Sequence, residues 1–341
     1  MREFQDNEQM RHRHHVRQGV VVAVLLLLAF IGVVWVLHLV EENNNPHQTI
    51  DTATRITTHR GGALYDLRDD IETILIIGLD KYEEAIDENF DGYRNDQQAD
   101  FLLLLLVNRT EKTCQMLHIN RDTMTRVPIL GITGDVAGTQ VEQLALAHTY
   151  GTGNEDSCRN TVHAVSTFLH ETPIEHYLSV TMDAVQVLND AVGGVTVTVN
   201  DDFSGVDKTL VKGQTITLKG SQALTFVRAR AGMEEQTNLN RMARQRQYMS
   251  GLQTRLSEKI REDDSFSLQT ALDLSKYMQS DCSVNHLAEV ANCIAEFGFS
   301  EIQTIEGEAV EGEEFMEFYA DDLALQSLIL DLFYVPADAD S

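Results

Sequence analysis

The sequence predicts an α/β protein in which helices cover both faces of one sheet, preceded by a single transmembrane helix. Three observations support this fold class. An apolar run occupies residues 19–40, short apolar runs typical of buried strands begin at residue 71, and segments with helical spacing alternate with those runs. Strands that alternate with helices indicate a sheet packed on both of its faces.

The apolar run at residues 19–40 predicts a membrane anchor. It contains no Asp, Glu, Lys or Arg, and only His38 interrupts its hydrophobic character. About 20 such residues span the hydrocarbon core of a bilayer, where only a helix satisfies the backbone of a single segment. A cleaved signal peptide is the alternative interpretation, but its apolar core usually has about 7–15 residues.

Charged residues on the two sides of the run orient the anchor. The flanking charges are Arg2, Arg11, Arg13 and Arg17 before it, and Glu41 and Glu42 after it. Because positive residues favour the cytoplasmic side, residues 1–18 are expected to form a cytoplasmic tail. The chain would then be a single-pass protein of the cell membrane, with its body outside the cytoplasm.

The chain is strongly acidic, with 53 Asp and Glu against 26 Lys and Arg and a formal net charge of −27. Nucleic acid is therefore not an expected partner, because its binding depends on Lys and Arg that neutralise phosphates. An anionic substrate would need a local cationic pocket.

The four cysteines would face an oxidising compartment, where disulfides are allowed. They are Cys114, Cys158, Cys282 and Cys293. The last two are close enough in sequence to form a bridge, although spacing alone does not decide the pairing. No CxxC pair or Cys/His spacing typical of a zinc site occurs, so zinc is not expected.

The body begins after a polar stalk at residues 41–70, which we expect to lead to one short helix. Buried strands are then predicted at residues 71–79, 101–107 and 115–119, with a further strand at 195–199. Helical spacing predicts helices near residues 156–170, 183–192 and 235–260, and residues 218–230 predict a short helix that leads into a strand. The helix at 183–192 stops at Gly193 and Gly194, as is typical of a C-cap.

Arginine is concentrated in one part of this acidic body. The arginines between residues 228 and 246 are Arg228, Arg230, Arg241, Arg244 and Arg246. Arg228 and Arg230 would share one face of the predicted strand, and Arg241 and Gln245 would share one face of the predicted helix, with Arg244 beside them. Guanidinium groups bind phosphate through paired hydrogen bonds, so this group is a candidate phosphate site. Pairing with surface acids is the alternative interpretation.

Polar residues stand at the ends of the first three predicted strands. Asp80 follows the first strand, Asp100 precedes the second, and Arg121 and Asp122 follow the third. Two carboxylates at neighbouring strand ends can hold a divalent cation against a phosphate. Together these residues predict one rim of a sheet, where open α/β folds bind ligands, although each alone could simply cap a turn.

Other catalytic signals are missing from the sequence. There is no Walker A loop and no GxGxxG motif, so ATP and NAD are not expected. His148 has no Ser or Cys at a recognisable spacing, so a hydrolase triad is not expected either.

Short motifs follow one another in order between residues 71 and 255. They are Ile77-Gly-Leu-Asp80, Ala99-Asp-Phe101, Ile119-Asn-Arg-Asp-Thr123, Tyr150-Gly151, Asp183-Ala-Val185, Gly193-Gly-Val-Thr-Val197, the run from Gly220 to Arg230, and Arg241-Met-Ala-Arg-Gln245. This ordered set behind a single anchor resembles the LytR-CpsA-Psr family of bacterial cell-envelope proteins.

The resemblance implies a three-layer α/β/α sandwich with a mixed central sheet and a hydrophobic groove for a polyprenyl chain. It also implies a phosphotransferase that moves a glycan, such as a teichoic acid or a capsule, from undecaprenyl pyrophosphate to peptidoglycan. Residues 71–255 would be the LytR-CpsA-Psr catalytic domain, and residues 256–341 an acidic C-terminal extension packed on it.

The motif matches also imply residue roles. Asp80 and Asp100 would hold Mg²⁺, with Mn²⁺ as the alternative metal. The implied catalytic residues, which would cradle the pyrophosphate, are Arg121, Arg228, Arg230 and Arg241. The implied substrate-binding residues are Arg244, Gln245 and Asp122, the last of which would orient Arg121.

The chain departs from the family pattern at several neighbours of these residues. Gln98 and Ala99 replace an Arg-Ser pair, and Arg94 is a candidate substitute. Gln143 and Ala145 replace a Lys and an Asn, and Asn238 stands where an Asp is common. Two other functions therefore remain open from the sequence: a non-catalytic scaffold that binds polyprenyl lipid or wall polymer, and hydrolysis of pyrophosphate at the same site.

Overall fold

The computed structural model describes residues 57–60, 63–80, 95–229, 238–299, 301–313 and 315–337, which belong to one compact unit beginning at Thr57. The predicted anchor, Arg94 and Arg230 lie outside these ranges. Among the helices of the described ranges, none is long and apolar enough to cross a membrane.

The described chain alternates strands and helices. The strands are β1 (Thr57–Arg60), β2 (Ala63–Leu67), β3 (Glu72–Leu79), β4 (Phe101–Asn108), β5 (Thr113–Ile119), β6 (Met124–Leu130), β7 (Val136–Gln143), β8 (His176–Thr181), β9 (Thr196–Thr198), β10 (Thr215–Thr217), β11 (Met278–Ser280), β12 (Gln303–Thr304), β13 (Gly307–Glu311), β14 (Met316–Ala320) and β15 (Tyr334–Pro336). The α-helices are α1 (Glu155–Phe168), α2 (Asp183–Ala191), α3 (Ser221–Arg228), α4 (Asn238–Glu262), α5 (Phe266–Leu274), α6 (Val284–Phe297) and α7 (Asp322–Phe333), with 3₁₀ turns at Leu144–Thr149 and Ser275–Tyr277.

The central sheet has the strand order β11-β8-β3-β4-β5-β12 and is mixed. Strand β3 is parallel to β8 and antiparallel to β4, and β5 is antiparallel to β4 and parallel to β12. The predicted strands at 71–79, 101–107 and 115–119 are confirmed as β3, β4 and β5. Their continuous apolar character has a simple cause, because strands covered on both faces need apolar side chains on both.

Helices cover the two faces of this sheet. Because successive side chains of a strand point to opposite faces, Leu75 and Ile77 pack with α1 and α7 in one core, whereas Ile74 packs with α6 in another. A third core joins α2, α3 and α4 to β9 and β10. The predicted mixed α/β fold with a mixed central sheet is confirmed.

The C-terminal third of the chain supplies both edges of the sheet. Strand β11 pairs with β8 at one edge, and β12 pairs with β5 at the other. Strand β15 pairs with β2, which also pairs with β1. The short helix expected next to the stalk is wrong for residues 57–60 and 63–67. These form β1 and β2, and β15 gives β2 a second partner from far along the chain.

The segment at 218–230 also differs from expectation. Arg228 is the last residue of helix α3, so the strand predicted to carry Arg228 and Arg230 is wrong at Arg228. Ala223, Phe226 and Val227 recur at helical spacing and are buried in the core shared with α4. This amphipathic pattern favours a helix. Arg228 also suits the last turn of a helix, because its positive charge interacts favourably with the helix dipole.

Candidate active site

The ends of β3 and β4 bring Asp80 and Asp100 to the same edge of the sheet. Gly78 pairs with Phe101, and the backbone N–H of Asp100 donates to the carbonyl oxygen of Gly78 at 2.8 Å. A Cβ atom at Gly78 would lie 2.7 Å from the Cβ of Phe101, which explains the glycine. Both carboxylates line a cleft of about 480 Å³, here called the charged cleft, together with Arg228, Arg241 and Met182.

Arginines neutralise both carboxylates. Arg121 is ion-paired with Asp100, and Arg241 Nη1 lies 3.5 Å from the same carboxylate oxygen. Arg228 is ion-paired with Asp80 at the open side of the cleft. The side chains of Arg121, Arg241 and Asp100 are 12%, 4% and 19% exposed, whereas Arg228 is 52% exposed. Coulombic interactions are stronger where water is excluded, so the Asp100 group is the electrostatic centre of the site.

Asp122 holds Arg121 in place, as the resemblance implies. Arg121 Nε donates to Asp122 Oδ1 at 3.2 Å. Gln143 Nε2 donates to the same oxygen at 3.2 Å and to the carbonyl oxygen of Met316 at 2.7 Å. The neutral amide at position 143, where the family pattern has a lysine, thus joins this network through hydrogen bonds.

Two asparagines missed by the sequence analysis as site residues position Arg241. Arg241 Nη2 donates to Asn238 Oδ1 at 2.7 Å, and Asn238 Nδ2 donates to Asn120 Oδ1 at 2.6 Å. Asn120 Oδ1 also accepts from the backbone N–H of Asp122 at 3.0 Å. Asn238 therefore accepts a hydrogen bond from Arg241, as the Asp that is common at this position in the family pattern would. Asn120 could have been found, since it lies inside the motif that contains Arg121.

The structure does not bring Arg244 or Gln245 into the charged cleft. Arg244 is buried, donates to the carbonyl oxygen of Phe226 at 2.8 Å, and contacts the carbonyl oxygen of Ala229 and the carboxylate of Asp201. These contacts secure the end of α3. Arg244 does not line the charged cleft, and its predicted substrate-binding role stays a prediction. Gln245 Nε2 donates to the carbonyl oxygen of Val227 at 3.3 Å and lines a different cavity.

That second cavity, here called the apolar cavity, lies between the sheet and helices α2 and α4. It has a volume of about 220 Å³, and its lining includes Phe101, Ala184, Tyr248 and Met249. Met182 lines both this cavity and the charged cleft. A ligand with a charged head and an apolar chain can therefore contact both spaces.

A third space adjoins Arg121, the ion-pair partner of Asp100, and we call it the hairpin cleft. It measures about 510 Å³ and is lined by Arg121, Gln143, Leu239, Phe315 and Met316, among others. The hairpin β13–β14 forms its outer wall and is fixed by a 2.9 Å hydrogen bond from the backbone N–H of Phe318 to the carbonyl oxygen of Asp122. Phe315 and Leu239 are 42% and 48% exposed. The sequence offered no signal for this cleft, since the hairpin is far from Arg121 along the chain.

The cysteines do not add a nucleophile to the site. Cys158 Sγ lies 3.7 Å from His148 Nε2, a contact that sequence spacing did not suggest, but both residues are fully buried. Burial lowers the pKa of His148 to about 4 and raises the pKa of Cys158 to about 12, so both groups are neutral. All four cysteines are free thiols, so the bridge between Cys282 and Cys293 that spacing allowed is not formed.

The fold and the site define a class of protein: an α/β protein with a charged cleft next to an apolar cavity. The model of the LytR_cpsA_psr family matches residues 33–327, and the chain belongs to that family.

Curated relatives are similar over part of their length. "Polyisoprenyl-teichoic acid–peptidoglycan teichoic acid transferase TagU" of Halalkalibacterium halodurans is 31% identical over 180 residues, covering 53% of this chain and 51% of the relative. The TagU of Enterococcus faecalis, which carries the same name, is 28% identical over 221 residues, covering 64% of each. The chain thus spans about half to two thirds of the length of these relatives.

Solved structures share the fold. TagV from Bacillus subtilis superposes with a TM-score of 0.57 at 24% identity, covering 78% of this chain and 97% of that one. The structure of TagT bound to LI-WTA gives a TM-score of 0.55 at 24% identity, with coverages of 77% and 90%.

Proposed function

We propose that this protein transfers a glycan, such as a teichoic acid or a capsule, from undecaprenyl pyrophosphate to peptidoglycan. The observation that carries the proposal is the adjacency of the charged cleft and the apolar cavity, which share Met182. A polyprenyl pyrophosphate has the matching parts, since its head is concentrated negative charge and its chain is hydrocarbon. Curated relatives are named as teichoic acid transferases, which agrees with this reading of the site.

The donor set of the charged cleft fits a divalent cation. Asp80 and Asp100 offer carboxylate oxygens to one space from adjacent strand ends, and oxygen ligands are those that Mg²⁺ prefers. We therefore propose Mg²⁺, with Mn²⁺ as the alternative, held by these two residues. Bound there, the cation would neutralise charge on the pyrophosphate.

The chain's own arginines supply the remaining positive charge. Phosphoryl transfer moves negative charge onto the leaving phosphate, and groups fixed in advance stabilise that charge without having to reorganise. Arg121 is fixed by Asp122 and Arg241 by Asn238, so both are held ready. Arg228, at the open side of the cleft, would contact the incoming head group. We retain Arg230 as a fourth catalytic residue on the motif match alone.

The reaction would form one phosphodiester bond and break one phosphoanhydride bond. A sugar hydroxyl of peptidoglycan attacks the phosphorus atom next to the glycan and gives its proton to solvent, and undecaprenyl phosphate leaves with part of its chain still in the apolar cavity. No ATP is needed, because the donor is already activated. The anchor proposed at residues 19–40 would keep the site near its lipid donor at the cell membrane.

The hairpin cleft is the proposed entry for the acceptor. It is lined by Arg121, which is ion-paired with Asp100 of the charged cleft, and it exposes an aromatic ring at Phe315. Aromatic rings offer apolar contact area at a wet surface, which suits the flat apolar face of a sugar. The acceptor hydroxyl would then approach through the hairpin cleft and the donor through the charged cleft.

The test uses the full chain in detergent with a synthetic polyprenyl-pyrophosphate oligosaccharide, peptidoglycan fragments and Mg²⁺. Mass spectrometry follows polyprenyl phosphate release and joined product, beside an Arg121→Ala control. Joined product that depends on Arg121 supports the transferase. Release without joining would indicate hydrolysis. Tight lipid binding with neither product would indicate the non-catalytic scaffold instead.

A further inference from the structure

Three side chains that can bind metal meet at the end of the sheet opposite the charged cleft. His176 begins β8, Cys282 follows β11, and His286 lies in the first turn of α6. One ligand atom from each lies within 4.8 Å of the others, and all three side chains are half-buried. Each comes from a different element, so only the folded chain assembles the group.

The register of β8 separates this group from the charged cleft. His176 pairs with Ile74 at one end of β3, and Thr181 pairs with Leu79 at the other, next to Asp80. At about 3.3 Å per strand residue the two ends are roughly 17 Å apart. A cation held by His176, Cys282 and His286 would therefore be a second and separate site.

Carboxylates stand beside both histidines. Glu72 Oε1 lies 2.5 Å from His286 Nε2, and Asp281 Oδ1 lies 3.5 Å from His176 Nδ1. Asp281 is itself fixed by the backbone N–H of Tyr177 at 3.0 Å. A carboxylate next to a metal-binding imidazole either accepts its second N–H or joins the coordination sphere, and both arrangements are found in protein metal sites.

We propose that His176, Cys282 and His286 bind one Zn²⁺ ion, with Asp281 in the fourth position. Two imidazoles and one thiolate suit zinc, whereas Mg²⁺ and Ca²⁺ prefer oxygen. In a tetrahedral zinc site the ligand atoms lie about 3.3–3.6 Å apart, given bonds of about 2.0–2.3 Å. The three ligand atoms, which lie within 4.8 Å of one another, would have to draw closer on binding, and the carboxylate of Asp281, 3.5 Å from His176 Nδ1, would have to turn toward the ion.

The proposed ion would fasten the C-terminal third of the chain to the central sheet. β11 and the start of α6 belong to that third, and His176 belongs to the strand that β11 extends. A four-coordinate ion with no open position is typical of structural zinc. Burial and the carboxylate of Asp281 raise the pKa of the Cys282 thiol to about 11 without metal, so zinc binding must displace a proton from it.

The test is a Co²⁺ and Zn²⁺ titration of the purified full chain, stripped with EDTA and kept reduced. Co²⁺ reports the ligands directly, since a thiolate gives a near-ultraviolet charge-transfer band and a tetrahedral site gives strong visible bands. The expected result is one tightly bound Co²⁺ per chain that gives both signals and is displaced by Zn²⁺, whereas any Co²⁺ at the charged cleft gives no thiolate band. Cys282→Ser should abolish the thiolate band and His176→Gln should weaken binding at least tenfold.

Matched controls sharpen the outcome. Cys293→Ser removes a nearby thiol outside the group and should bind as the unaltered chain does, and so should Asp100→Asn at the charged cleft. Zn²⁺ should raise the Tm of the unaltered chain and of Cys293→Ser but not of Cys282→Ser, with circular dichroism confirming that each variant folds. No thiolate band in the unaltered chain, an equal band in Cys282→Ser, or loss of the thiolate band in Asp100→Asn would overturn the proposal.

Discussion

The charged cleft and the apolar cavity adjoin at Met182, yet they are built by opposite means. The cleft consists of ionic groups that fix one another, centred on Asp100. The cavity consists of space that apolar side chains leave unfilled between the sheet and α4. Fixed charge and unfilled space both cost stability in a folded protein, so their occurrence side by side points to one ligand that uses both.

Because the charged cleft depends on groups that fix one another, we expect the loss of one of its arginines to lower the transfer rate more than any change in the apolar cavity. Arg121→Ala should reduce the transfer rate by roughly 10²–10³, because it removes a preorganised donor to the transition state. Steady-state transfer assays measure this change. The matched control is Arg126→Ala, which removes an exposed arginine of β6 in the same part of the chain. A loss of equal size in both variants would show that general surface charge, rather than the fixed group, supports the reaction.

The next largest effect is expected from replacing Asp100, whose carboxylate is ion-paired with Arg121. Asp100→Asn keeps the shape but removes the charge opposite Arg121 and Arg241, and it weakens the proposed cation site. We expect a loss of roughly 10–100-fold in rate, partly recovered at high Mg²⁺, because ligands of an ion and their supports contribute on this scale. The rate is measured against Mg²⁺ concentration. Asp96→Asn, at an exposed position nearby, should leave that curve unchanged; a loss that Mg²⁺ never relieves would argue against the cation site.

The cleft and the cavity also differ in how far the sequence could predict them. Asp80, Asp100 and Arg121 stand at the ends of strands that are continuous apolar runs, and arginines are conspicuous in so acidic a chain. The side chains that line the apolar cavity are of the types that fill any core. No pattern of hydrophobic residues distinguishes a core that is filled from one that is not.

The remaining errors share one physical cause, which is dependence on distant partners. Strands β11 and β12 are three and two residues long and carry no strand pattern of their own, so only pairing with β8 and β5 defines them. The strand predicted at Arg228 is wrong for the same reason, because Phe226 and Val227 are buried against helix α4, which follows later in the chain. The group of His176, Cys282 and His286 needs three elements to meet, which spacing along the chain does not reveal.

Filling the apolar cavity should have a smaller effect, which we expect only on the binding of donors with a long polyprenyl chain. Ala184 lines it from the first turn of α2, and Ala184→Phe would occupy part of its volume. We expect long-chain polyprenyl pyrophosphate to bind about tenfold more weakly, which corresponds to roughly two buried methylene groups. A short-chain donor serves as the matched control and should bind unchanged. Equal weakening of both donors would indicate a displaced charged cleft rather than an occupied cavity.

The smallest effect is expected at the acceptor side. Phe315→Ala removes an exposed ring from the hairpin cleft without touching the ion pairs around Asp100. We expect KM for peptidoglycan fragments to rise about three- to tenfold, in keeping with the roughly 1 kcal/mol that an aromatic contact contributes, while donor affinity stays the same. Tyr319→Ala is the matched control, because Tyr319 is exposed on the same hairpin but does not line the cleft. If both variants raise KM equally, the hairpin surface as a whole receives the acceptor. If neither does, the acceptor reaches the site by another route, and the assignment of the donor to the charged cleft and of the acceptor to the hairpin cleft is wrong.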